Sequence, residues 1–271
     1  MLNIKFDSKN LYQAMSSRIS VRNYKKQKLL KKDYDYLNQK LEYINSLNMG
    51  VKAYLINQDN EDIFTGIIGS YGKIKNAPSY FLLVGDTSNE NIYALVGYVG
   101  EYLVLEVQAK NMSTCWVSGT FKKSKLPREV IINSNEKVFC VISVGYRDQS
   151  KSDFAKKVIK SANRKPVDKL VLNHEKLLNV PEYIQKSIEY ARIAPSAINR
   201  QPWKFRVYEK EIDLLLDKGI IKIDRLIESK KLDLGIALFH IVVVLNHYNK
   251  EFNISFEKEV FAKITVQGTL Q

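Results

Sequence analysis

The chain has 271 residues and a formal net charge of +13, enough length to bury a substantial core as one large domain or as two similar halves. Its two cysteines, Cys115 and Cys140, are too few for a disulfide framework or a usual zinc site and point to a reducing cytoplasm. The longest apolar run, residues 236–245, contains His240 and falls far short of a membrane span, and basic residues are spread out in pairs such as Lys25-Lys26, Lys31-Lys32 and Lys156-Lys157, which reads first as a solvated lysine-rich surface, then as attraction of anionic cofactors and substrates, and least as a nucleic-acid surface.

Along the chain, Lys5, Asp7 and Lys9 break up the first apolar residues, unlike a secretory signal. Residues 11–17 start a helix that leads into Arg18-Ile19-Ser20-Val21-Arg22-Asn23-Tyr24. A second helix over 31–47 places Tyr34, Leu37, Leu41 and Ile44 on one face, and 51–56 reads as a strand. Residues 80–84 are wholly apolar and predict a buried strand, ended by Gly85-Asp86. A long helix over 91–110 comes next, then Ser113-Thr114-Cys115-Trp116-Val117-Ser118-Gly119, then a strand over 138–145. The second half predicts a helix over 181–192, a proline turn, strands at 204–208 and 220–223, a long apolar helix over 232–247, and strands near 253–256 and 260–266. Helix, strand, strand, long helix is the order already met between residues 31 and 110, which is the signature of an internal repeat.

The turn itself, Ala194-Pro195-Ser196-Ala197-Ile198-Asn199-Arg200-Gln201-Pro202-Trp203, crowds two prolines, an amide pair and a Trp between a helix and a strand. It resembles the flavin-cradling turn of the FMN-dependent nitroreductase family, and Arg18, Ser20 and Arg22 match that family's Arg-x-Ser-x-Arg element. In this chain the two signatures lie in opposite halves. Residues 45–50, where the first half would carry the turn, have no such motif, and the second half enters its turn without an Arg-x-Ser-x-Arg. The chain therefore resembles a single-chain, fused pseudo-dimer of the family. The resemblance implies an α+β fold of two pseudo-symmetric halves, 1–168 and 169–271, each with a mainly antiparallel sheet flanked by helices, and one complete FMN site.

Site roles follow from the same resemblance. Arg18, Ser20 and Arg22 would meet the flavin phosphate, for which forked guanidinium donors and a hydroxyl are suited. Arg164 matches a late Arg that also reaches it, or is a linker residue. Pro195, Ser196, Ala197 and Asn199 would border the isoalloxazine ring, since proline fixes the backbone direction and small side chains allow close approach. Backbone N–H groups of Ser118 or Gly119 would face flavin N5, and Lys73 would approach the pyrimidine edge or lie in solvent. Cys115 reads as a small buried residue, Trp203 as core, and His174, His240 and His247 as structural or surface residues, with no metal site. The implied activity is ping-pong transfer of hydride from NADH or NADPH through FMN to a nitroaromatic, quinone or similar small-molecule acceptor. No catalytic side chain, membrane or nucleic-acid partner is expected, and the chain is expected to act as a monomer. A flavin-binding or flavin-sequestering protein without turnover is the alternative.

Overall fold

In the computed structural model the described residues are 2, 4–57, 61–64, 74–118, 121–149, 163–217, 219 and 224–268. Lys73, Gly119, the Lys156-Lys157 pair and the strand expected at 220–223 lie outside them. The chain divides into two units, one of residues 17–159 and one of residues 1–16 with 160–271.

In the unit of residues 17–159, helix α2 (Lys31–Ser46) follows α1 (Ser8–Ser17) and buries Leu37, Leu41 and Ile44. Strands β1 (Val51–Asn57) and β2 (Ser79–Asp86), helix α3 (Ile92–Ala109), and strands β3 (Ser113–Val117) and β4 (Glu136–Gly145) complete it. The strands form one antiparallel sheet in the order β1-β2-β4-β3. Central β2 is buried at every position but its last and apolar from Tyr80 to Val84, as expected of a strand covered on both faces. Leu83 points toward α3, while Tyr80, Leu82 and Val84 join Val21, Tyr24, Cys115 and Val117 in a second cluster. α3 is likewise buried almost all round, and it stops where Asn111 turns left-handed (φ 58°), the geometry that closes helix ends.

Gly100 on α3 is needed for close approach: a Cβ there would lie 2.3 Å from the Trp116 ring and 2.8 Å from Leu83. Gly100→Ala should therefore lower the urea midpoint. Overpacking costs about 1–3 kcal/mol, more than the gain of about 1 kcal/mol from replacing a mid-helix glycine. An unchanged or raised midpoint would contradict this packing.

The other unit contains α1, a one-turn helix α4 (Val167–Leu170), α5 (Glu182–Ile193), β5 (Trp203–Tyr208), β6 (Glu211–Leu216), α6 (Asp224–His247), β7 (Phe252–Ser255) and β8 (Ala262–Val266). Its antiparallel sheet runs β5-β6-β8-β7. β6 corrects the expected order of strands, because it pairs with β5 across the two-residue turn Glu209-Lys210, ahead of residues 220–223. β5 alternates, with Trp203, Phe205 and Val207 buried and Lys204 and Arg206 half-buried, as a strand covered on one face should. Residues 232–245 of α6 form the core of this unit, and α6 also closes at a left-handed asparagine, Asn249 (φ 52°). α1 packs by Tyr12, whose ring stacks on His247 at 4.0 Å and meets Tyr190 at 4.4 Å, while Phe6 meets Phe239 at 5.4 Å.

Each unit thus runs helix, strand, strand, long helix, strand, strand, and each sheet places its fourth strand between its second and third. The repeat is clearer in this order than in any residue match, because topology depends on where strands and turns fall and not on which apolar residue fills the core.

Candidate functional site

In the unit of residues 17–159, the chain after α1 becomes extended and clips onto the sheet. Ser20 bridges to Thr114 on β3, the Val21 N–H donates to the Thr114 carbonyl at 2.9 Å, and on the other side the Tyr24 N–H donates to the Lys75 carbonyl at 3.0 Å while the Lys75 N–H donates to the Arg22 carbonyl at 2.8 Å. Val21 and Tyr24 are buried, the Tyr24 hydroxyl meeting Ser143 Oγ at 2.7 Å; Ser20 is exposed and Arg22 half-buried. Apolar anchors alternating with polar residues hold the Arg-x-Ser-x-Arg backbone in one conformation and leave its hydroxyl outward. Arg18 turns inward. Its Nε lies 3.8 Å from Oε1 of Glu101, a fully buried α3 carboxylate whose Oε2 accepts the Trp116 indole N–H at 3.0 Å. Burial lowers the Arg18 pKa from its ordinary value, against the opposing pull of Glu101. Ser118 is exposed just past β3.

In the other unit, the proline turn is conformationally unusual. Ile198, Asn199 and Gln201 all have positive φ (49°, 58° and 49°). Left-handed backbone is tolerated by asparagine but strained for a β-branched isoleucine, and such strain persists only where neighbours over-determine it. They do so here. The Asn199 N–H bonds the Ser196 carbonyl at 3.0 Å, and the Gln201 N–H bonds Ser196 Oγ at 2.9 Å. Buried Gln201 accepts from the Lys165 N–H at 2.8 Å through Oε1, and its amide donates to Asn199 and Asn163. The Ala197 N–H donates to Oδ1 of Asp233 on α6 at 3.0 Å, and Arg200 lies 3.5 Å from Oδ2 of the same carboxyl. Burial pushes Asp233 up to about 7, with the Ala197 N–H and Arg200 pulling the other way.

Arg164 sits at the entry to this turn, donating from Nη1 to the Ala194 carbonyl at 2.7 Å and from Nη2 to the Ile193 carbonyl at 2.9 Å. It caps α5, as a cation at a helix C-terminus does. Pro195 is buried, Ser196, Ala197 and Asn199 are half-buried, and Ile198 is 64% exposed, so the strained crest of the turn faces outward.

The sequence-predicted residues therefore gather in two places, Arg18, Ser20, Arg22 and Ser118 around β3 of one unit, and Arg164 with Pro195, Ser196, Ala197 and Asn199 around the turn of the other. Sequence reasoning missed Glu101, Gln201 and Asp233, which support those places. The available signal was a carboxylate set among apolar residues of a long helix, as at Glu101 and Asp233. Cys115 and Cys140 are buried thiols that form no disulfide, and burial pushes the Cys140 thiol far up. His240 is fully buried with Nδ1 2.8 Å from the Tyr190 carbonyl. No helix among the described residues is long and apolar enough to cross a membrane.

No curated protein matches the chain. Among solved structures, a Thermotoga maritima protein described as a putative nitroreductase covers 98% of this chain and 98% of its own, with 21% identity and a TM-score of 0.63, a likeness of fold. A nitroreductase family protein from Clostridium novyi covers 52% of this chain and 86% of its own at 17% identity, with a TM-score of 0.42. A nitroreductase with bound FMN from Bacteroides fragilis covers 52% and 90% at 13% identity, with a TM-score of 0.41. The family model described as "Putative TM nitroreductase" matches residues 10–244, most of the sequence and both of the places just described, and the chain belongs to that family.

Proposed function

We propose that this chain is an FMN-dependent NAD(P)H oxidoreductase with one flavin per chain. On this reading Arg18, Ser20 and Arg22 would hold the flavin phosphate, backbone N–H groups of Ser118 or Gly119 would face the reactive ring atom, and Pro195, Ser196, Ala197 and Asn199 would border the ring, with Arg164 and Lys73 as further anchors. The observation that carries the reading is the turn at residues 195–201, where three left-handed residues are held by buried partners, the pattern expected of backbone built to meet a ligand. The donor set suits a phosphate. Arg18 Nε is buried with no hydrogen-bond partner among the described residues, Ser20 is exposed, and Arg22 adds a second guanidinium.

Bound FMN would supply the redox chemistry, taking hydride from NADH or NADPH and passing electrons to a nitroaromatic, quinone or similar acceptor. The protein's own part is binding and orientation. Its two arginines offset the phosphate charge, Arg164 fixes where α5 ends and so aims the turn, and small residues at 196 and 197 keep side-chain bulk away from a flat ring. The repeated element order supports a fused pseudo-dimer; a chain that carries both halves would act as a monomer, and its sparse cysteines suit a reducing cytoplasm.

The purified protein should be yellow, with a flavin-to-chain ratio near one. It should bleach anaerobically with NADH or NADPH and recover its colour with a quinone or nitro compound. A colourless protein that takes up no added FMN sinks the reading, while a yellow protein that never bleaches points to flavin sequestration. Arg22→Ala should raise the FMN Kd by about tenfold to a hundredfold, the worth of a charge-assisted hydrogen bond. Fluorescence titration giving an unchanged Kd would remove Arg22 from the phosphate site.

A further inference from the structure

Asp233 occupies a place that an apolar residue would fill more cheaply. It is 2% exposed on α6, between buried Leu232 and Leu234, and a leucine there would avoid desolvating a carboxyl. Its hydrogen bonds and ion pair all go to the proline turn, with Oδ1 to the Ala197 N–H at 3.0 Å and Oδ2 to Arg200 Nη2 at 3.5 Å. The same Arg200 nitrogen donates to Ser229 Oγ at 3.0 Å, so helix and turn are tied at two points one helical turn apart. Between the two tied turn residues, Ala197 and Arg200, lie Ile198 and Asn199, both left-handed.

We propose that Asp233 is a positioning residue for the flavin turn: by anchoring the Ala197 amide and Arg200 to α6, it holds Ile198 and Asn199 in the left-handed conformation that presents the turn to a ligand. The inference rests on the flavin reading only for what the turn meets; the anchoring is a property of this unit's own geometry. Asp233 touches no reacting atom in this account and acts through Ala197. A merely structural carboxyl would change stability and leave the turn's backbone and its ligand affinity as they were.

The test uses the full chain with Asp233→Leu and Asp233→Asn, read by amide hydrogen exchange at Ala197, by titration with free FMN, and by urea unfolding. Asp233→Leu should raise exchange at Ala197 and the FMN Kd each by about tenfold or more, while the urea midpoint falls by less than it does for a fully buried pair, because Arg200 is 21% exposed and keeps its bond to Ser229. Asp233→Asn keeps an acceptor for Ala197 and should fall between that variant and wild type; it carries the test if the leucine variant does not fold. Unchanged exchange at Ala197, or raised exchange with unaltered FMN affinity, overturns the proposal. If the wild-type chain binds no FMN, the flavin reading fails by itself, and exchange at Ala197 still decides whether Asp233 anchors the turn.

Discussion

Glu101→Leu is expected to destabilise the unit of residues 17–159 by about 3–5 kcal/mol, the cost of leaving one member of a buried pair without its counter-charge. Glu101 is fully buried, its Oε1 faces Arg18 Nε at 3.8 Å, and its Oε2 accepts the Trp116 indole N–H at 3.0 Å. Removing it strands a guanidinium whose side chain is only 6% exposed and an indole donor at once. Arg18→Met combined with Glu101→Leu should recover most of that loss, since an apolar pair avoids both desolvation penalties. Urea unfolding of the three proteins measures the coupling. A single substitution costing less than about 1 kcal/mol would mean that solvent or another group already serves Arg18. The double variant has a second use: if Arg18 holds phosphate, its FMN affinity should stay low after its stability has returned, which separates the two duties of this arginine.

Trp203→Ala is expected to cost about 3–5 kcal/mol, the range for removing a large buried aromatic side chain. Trp203 is fully buried at the start of β5, on the covered face it shares with Phe205 and Val207. The indole N–H has no hydrogen-bond partner among the described residues, so packing is what holds the residue there. Trp203→Phe should consequently cost only about 1–2 kcal/mol, because no hydrogen bond is lost and the cavity left is smaller. Equal losses for Ala and Phe, read from the urea midpoint, would show that the indole N–H matters after all. This confirms the expectation from sequence that Trp203 belongs to the core, a role the adjacent turn would otherwise obscure.

Much of the fold was legible because burial leaves a pattern. The apolar run at 80–84 is the doubly covered β2, and the two long apolar stretches are α3 and α6. β6 was not read, although Ile212 and Leu214 flank Asp213 in alternation, because the turn before it, Glu209-Lys210, has neither glycine nor asparagine to mark a hairpin. β3 hid for a different reason: Ser113–Val117 is short and opens on Ser113 and Thr114, both buried, so it shows no apolar and polar alternation. The candidate site was legible where it consists of local motifs, and illegible where it depends on distant partners. Nothing near Arg18 announces Glu101, and nothing near Ala197 announces Asp233; only the oddity of an acid within an apolar helix hints that something must meet it.

Residues 1–16 belong with residues 160–271, so the polypeptide leaves one unit after Ser16 and returns to it at Lys160. Synthesis from the N-terminus therefore delivers α1, with buried Leu11 and Met15, long before α5 and α6, the helices its Tyr12 packs against, have been made. The intervening unit can finish first on the ribosome. Until α6 emerges, the apolar side of α1 has no permanent home, and that waiting period is when a nascent chain of this design is most exposed to aggregation or to capture by chaperones.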